Sequence, residues 1–97
     1  PRLVADLGAH NFMILRNHGL LTCASNVADA FLAMYILESA CDIQIKAQAG
    51  KKLIPVPQQI LSTMQAQATA VTKNMGGKLA WPGLLRKLDR MDSSFRR

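Results

Sequence analysis

One short stretch holds the residue types best suited to chemistry: Arg16-Asn17-His18-Gly19, set between Phe12-Met13-Ile14-Leu15 and Leu20-Leu21-Thr22-Cys23. His18 is one of only two histidines in 97 residues. A histidine at the tip of a tight turn is presented to solvent or to a site. From there it can ligate a metal, act as an acid or base, or serve as a polar turn residue. Gly19 beside it allows close approach to the backbone. His10 reads as an exposed loop residue. No zinc site can be assembled from two histidines eight apart and two cysteines in apolar surroundings, because such a site takes three or four ligands. Ser25 and Ser39 lack a histidine and an acid at triad-like spacing. Glu38, the sole glutamate, falls within a helical pattern and reads as a helix-surface residue. Spacing alone therefore leaves all three roles of His18 open.

The elements that must position this turn follow from periodicity. Leu3, Val4 and Leu7 share a helical face, and Gly8 suits the left-handed residue that closes a helix. The unbroken apolar run Phe12-Met13-Ile14-Leu15 predicts a strand over 12–16, buried on both faces. Asn17 and Gly19 tolerate positive φ, so the turn leads into a second strand at 20–23. Asn26 is placed to cap a helix, with Asp29 at its third position. Val27, Phe31, Met34, Leu37, Cys41 and Ile45 then recur at spacings of three and four over 26–49. Tyr35, Ala28, Leu32 and Ile43 widen that stripe, so this helix should be covered on more than one side. Gly50 should end it.

Leu53-Ile54-Pro55-Val56-Pro57 predicts an extended connector. Pro57 then opens a helix running to about Lys73, with Ile60, Leu61, Met64 and Val71 inward. Asn74-Met75-Gly76-Gly77 reads as a flexible link. Trp81-Pro82 opens a last helix over 82–91, striped by Leu84, Leu85, Leu88 and Met91, with Arg86, Lys87 and Arg90 facing away. Two strands make a marginal sheet. The doubly buried character of 12–16 calls for neighbouring strands that these residues do not contain, and the chain opens at Pro1 rather than methionine. Both observations point to half of an α/β domain.

Composition bounds the partners. No apolar run approaches the ~20 residues needed to span a bilayer. The net charge of +6 is uneven, with six Lys/Arg against two acids over 78–97. That tail has no base-stacking aromatic array and no zinc-finger spacing, which argues against nucleic acid as a partner. Cys23 and Cys41 read as reduced core cysteines of a cytoplasmic protein, and the five methionines read as core filler.

Taken together, Leu3-Val4-Ala5-Asp6-Leu7-Gly8, the run from Met13 through Asn17-His18-Gly19 to Thr22, Val27-Ala28-Asp29-Ala30-Phe31 and the segment Leu37 to Gln44 resemble the C-terminal part of a class II aldolase/adducin family domain. The match is tightest over 1–50. It continues more loosely into the helical part 51–97 through Ala80-Trp81-Pro82-Gly83-Leu84-Leu85. The resemblance implies a three-layer αβα fold, of which this chain would hold two strands and about four helices, usually assembled as a homotetramer. It further implies a divalent metal, generally zinc, held by a His-x-His pair and by the histidine of the Asn-His-Gly turn, here His18. That metal polarises the carbonyl of a small sugar phosphate or hydroxy-ketone compound during carbon–carbon cleavage. The family's His-x-His pair and acid/base glutamate have no counterpart here. No catalytic residue is therefore assigned within the chain, and the chain alone should be inactive. The segment Ala40-Cys41-Asp42-Ile43-Gln44 resembles the adducin branch equally well, which implies a protein-assembly module as the alternative.

Overall fold

A β-hairpin laid against one long helix is the centre of the molecule. The computed structural model describes residues 2–97. The order is α1 (Arg2–Leu7), β1 (Phe12–Leu15), β2 (Gly19–Thr22), α2 (Val27–Gln48), α3 (Gln58–Leu61), α4 (Met64–Thr72) and α5 (Gly76–Met91), closed by a 3₁₀ turn at Ser93–Arg96. β1 and β2 pair antiparallel, with Phe12 opposite Thr22 and Leu15 opposite Gly19. Gly8 closes α1 in the left-handed region at φ 56°, its N–H donating to the Val4 carbonyl.

Local chemistry explains the start of α2. The Asn26 side-chain oxygen accepts from the Asp29 N–H at 2.8 Å, and the Asn26 amide donates back to the Asp29 carboxylate at 2.7 Å. This reciprocal cap satisfies an otherwise unpaired helix donor and sets a negative charge on the positive end of the helix dipole. At the other end, Lys46 pairs with Asp42 one turn earlier at 2.7 Å. The helix stops at Gln48 with Ala49 as a right-handed cap, so Gly50 follows the helix rather than terminating it.

Two segments depart from the sequence expectation. The single helix expected over 57–73 is broken at Ser62-Thr63, giving α3 and α4. Here the Ser62 hydroxyl donates to the Gln59 carbonyl at 2.9 Å and the Thr63 hydroxyl to the Ile60 carbonyl at 3.0 Å. Such local side-chain bonds compete with the helical ladder. Ile60, Leu61, Met64 and Val71 are exposed rather than inward. The expected link 74–77 is also partly helical: α5 begins at Gly76 and carries Pro82 in its interior, at the loss of one helical hydrogen bond.

Docking against α2 explains the early start of α5. Gly77 is the one buried residue among those described. A Cβ there would overlap the Asp29 carboxylate and sit 2.7 Å from the Asp29 nitrogen and 2.8 Å from the Ala28 carbonyl carbon. A few residues on, Phe31 and Trp81 meet edge to face, ring centroids 5.7 Å apart. Gly77→Ala is therefore expected to destabilise the intact protein by about 1–3 kcal/mol, the usual cost of overpacking, although alanine is the better helix former. Gly76→Ala should cost less, since its Cβ would meet only the flexible end of Leu32 at 2.9 Å. Gly83→Ala should be neutral or stabilising, with only the Arg86 guanidinium at 3.6 Å. Equal denaturant midpoints for all three variants would contradict this packing.

The C-terminal turn is held by charge. Asp92 caps it, accepting from the Ser94 N–H at 2.8 Å. Arg96 forms a two-pronged pair with Asp89, its Nε donating to one carboxylate oxygen at 2.6 Å and its Nη2 to the other. The Arg96 hydrogen bond holds the Asp89 carboxyl below its usual range, and the Ser94 backbone bond does the same for Asp92. Because the ordered state takes up these protons later than the unfolded chain, the stabilisation is present at neutral pH. It is lost as pH falls from the ordinary value of 3.8 through the lowered native values. Protection of the amides over residues 93–97, taken as exchange relative to each amide's intrinsic rate at the same pH, is expected to fall on acidification through that window, and Arg96→Ala should remove the Asp89 component. Protection over 93–97 unchanged between neutral pH and about pH 2 would rule it out.

No hydrophobic residue among those described is fully buried. Met13 and Leu15 are half-buried, whereas Phe12 and Ile14 on the opposite face of β1 are 47% and 70% exposed. The expectation of a strand buried on both faces is not met within these residues, because no further strand flanks the hairpin. Cys23 is exposed past the end of β2 and Cys41 is half-buried, both as free thiols, so neither is a core cysteine here. Met64, Met75 and Met91 are likewise exposed. Tyr35, Ile36 and Ile43 leave α2 with bare apolar surface on several sides, the pattern of a helix meant for an interior.

Candidate functional site

The hairpin turn is built from two residues that accept unusual backbone geometry. The His18 N–H donates to the Leu15 carbonyl at 3.3 Å, closing a β-turn with Asn17 in the left-handed region at φ 61°. Asparagine enters that region more readily than most residues. Gly19 follows at φ 133°, a conformation that side-chain-bearing residues rarely adopt, although the space beside it is open. Glycine is therefore required there by backbone conformation and not by crowding. Both strands are one residue shorter or earlier than the apolar runs suggest, because Gly19 itself pairs with Leu15.

α2 braces this hairpin. The Thr22 hydroxyl donates to the Ala30 carbonyl at 3.0 Å, and the Cys23 N–H extends the ladder to the Asn11 carbonyl at 2.9 Å. Nearer the tip, Ile14 and Leu20 face Ala40, Cys41 and Ile45 of α2 across an open apolar groove.

His18 stands exposed at the tip, at the rim of an open cleft of about 660 Å³. The turn itself and β1 supply Met13, Ile14, Leu15 and Arg16; α1 supplies Arg2, Leu3 and Asp6. Asp6 and Arg2 approach within 3.8 Å across one helical turn, both well exposed. The sequence pattern points to the imidazole and not to Arg2, Asp6 or Arg16. The available signal was positional: Arg16 lies two residues before His18 in the same loop. His10 is exposed ahead of β1, its N–H bonded to the Leu7 carbonyl, and does not line this cleft. Glu38 is exposed on α2, near Tyr35, Ser39 and Asp42.

The fit to a metal is that of a single ligand. His18 offers an exposed imidazole on a turn fixed by hydrogen bonding. Among the described residues, no three His, Cys, Asp or Glu side chains are gathered to hold an ion. A metal centre on His18 needs further ligands from beyond this cluster.

Residues 1–45 match the family model for the class II aldolase and adducin N-terminal domain. A crystal structure of an aldolase II superfamily protein from Pseudomonas syringae superposes with a TM-score of 0.85 at 41% identity, covering 99% of this chain and 39% of that one. The chain belongs to the class II aldolase and adducin family. A Pseudomonas aeruginosa protein assigned by name to aldolase class 2 is 52% identical over 98% of the chain, and a Caulobacter vibrioides protein of the same designation is 40% identical over 97%. An adducin-related protein of Schizosaccharomyces pombe is 32% identical, again over 97%. The chain spans 38%, 37% and 31% of these three relatives, respectively. The hairpin and helices are thus part of a class II aldolase-type α/β domain, and the bare faces of β1 and α2 fit that partial coverage. Among the described residues, no helix is long and apolar enough to cross a membrane.

Proposed function

We propose that this chain contributes one metal ligand, His18, to a divalent metal centre, zinc by preference, in a class II aldolase-type lyase. The carrying observation is the exposed imidazole at the tip of an Asn-His-Gly turn, beside a cleft of substrate size, in a member of this family. The three relatives above are each matched over only part of their length, so the remaining ligands and the acid/base group are assigned to residues outside this chain. A bound divalent ion would act as a Lewis acid on a substrate carbonyl. This chain's own part is to hold His18 at the cleft rim: Asn17 and Gly19 set the turn, and α2 supports the hairpin behind it. In this reading the intact protein is a cytoplasmic homo-oligomer, a tetramer, acting on a small sugar phosphate or hydroxy-ketone compound. Residues 1–50 carry the site-bearing part and 51–97 the helical remainder.

Metal content of the intact protein tests the reading directly. Stoichiometric divalent metal that is lost in His18→Ala supports it. A metal-free intact protein, or unchanged content in His18→Ala, sinks it.

A second reading is an adducin-like assembly module without catalysis, favoured by the adducin-related relative and by the bare apolar faces of α2. It calls for stable self-association of an intact protein that holds no metal. Stoichiometric zinc with retro-aldol turnover would exclude it.

A further inference from the structure

The hairpin is fastened to α2 at its root and stands off it towards its tip. At the root the half-buried Thr22 donates its hydroxyl proton to the Ala30 carbonyl at 3.0 Å. Among the described residues, this is the one hydrogen bond between the hairpin and α2. Its acceptor sits on a fixed piece of helix. The Asn26 cap closes the turn just before it, and Gly77 of α5 is seated on Ala28 and Asp29. Towards the tip, Ile14 and Leu20 lie across an open groove from Ala40, Cys41 and Ile45. From Thr22 to Gly19 the strand runs roughly 10 Å, at ~3.4 Å per residue. On a lever of that length a tilt of about 6° carries the tip about 1 Å, whereas a ligand-to-metal distance tolerates about 0.2 Å.

We infer that Thr22 is the positioning residue for His18: its hydroxyl sets the tilt of the hairpin on α2, and thereby the place of the imidazole at the cleft rim. The inference rests on the reading of His18 as a metal ligand and adds what holds that ligand in place. The path from one residue to the other is continuous. Thr22 pairs with Phe12 and Gly19 with Leu15 in the ladder, and the Leu15 carbonyl accepts the His18 N–H at 3.3 Å. A hydroxyl suits this task better than an apolar contact, because a hydrogen bond fixes direction as well as distance. It is also separable from the fold. A carbonyl oxygen has two lone pairs, and Ala30 lies near the start of α2, where the helical ladder supplies its other partner. Thr22→Val therefore keeps the branched shape and leaves no orphaned acceptor.

The test compares Thr22→Val and Thr22→Ser in the intact protein. Thr63→Val is the control, since Thr63 makes a like bond to the Ile60 carbonyl at 3.0 Å, outside the hairpin and α2. Two quantities are read: zinc affinity by competition with a chromophoric chelator, and amide protection of the metal-free protein. Thr22→Val should weaken zinc binding about tenfold or more, as for loss of a group that orients a ligand. It should also lower protection over 12–22 while the body of α2 keeps its wild-type value. Thr22→Ser should recover most of both losses, and Thr63→Val should cause neither. Wild-type protection over 12–22 in Thr22→Val would overturn the inference, as would unchanged zinc affinity where the wild type binds zinc. Thr22→Ser as impaired as Thr22→Val would overturn it too, because shape and not the hydroxyl would then matter. An equal loss of protection across the hairpin and α2 would do the same, by showing a general loosening. A wild-type protein without zinc would sink the metal reading alone, since protection over 12–22 still decides the role of Thr22.

Discussion

His18→Ala in the intact protein is expected to lower divalent-metal affinity by more than about a hundredfold. Even removing a partner that merely orients a ligand costs about ten- to a hundredfold, and losing one of three ligands should exceed that. Stability without metal should change by no more than about 0.5 kcal/mol, because the side chain is exposed. The two readouts together separate a ligand from a turn residue. A structural role would move the metal-free melting point along with the affinity. His10→Ala supplies the comparison, since His10 is also exposed but lies outside the cleft. It should retain wild-type metal. Loss of metal in both variants would indicate a diffuse effect and not a ligand at the turn.

The parts of this fold that could be read from sequence are those decided within a few residues. The Asn26–Asp29 cap, the left-handed Gly8 and the Asn17-His18-Gly19 turn each depend on side-chain reach or backbone freedom at one spot, and each is present. The start of α5 was not readable in this way. Pro82 looks like a helix beginning, and only the seating of Gly77 on Ala28 and Asp29, about fifty residues earlier in the chain, carries the helix back to Gly76. The break at Ser62-Thr63 falls between these cases. Its hydroxyl-to-carbonyl bonds are local, but the same residues also tolerate a helix interior, so the pattern does not decide. At the site, His18 stood out by rarity and context. Arg16 did not, because an arginine in a turn reads as solvated until the walls of the cleft are assembled around it.

Residues 1–97 expressed alone are expected to lack a cooperative melt. The surface left exposed is 8649 Å², against roughly 5,500 Å² for a folded monomer of this mass. Put the other way, the chain buries about 44% of its unfolded surface where a domain of this size buries about 60% or more. The radius of gyration of 16.4 Å likewise exceeds the ~12.5 Å typical of a compact chain of this length. The excess is apolar in places that matter: Ile14 on β1, Ile36 and Ile43 on α2, and Val71 on α4. With no fully buried hydrophobic side chain among the described residues, there is no core whose loss could make unfolding all-or-none. The isolated chain should give a broad thermal transition, bind a hydrophobic dye at neutral pH, and sediment as a mixture of associated species. Supplying the rest of the intact protein should restore a sharp transition. That outcome would also protect the site, because the hairpin holding His18 is backed mainly by α2 here, and four-residue strands contribute little by themselves. A sharp melt of a monomeric 97-residue chain would show instead that its helices close a core of their own.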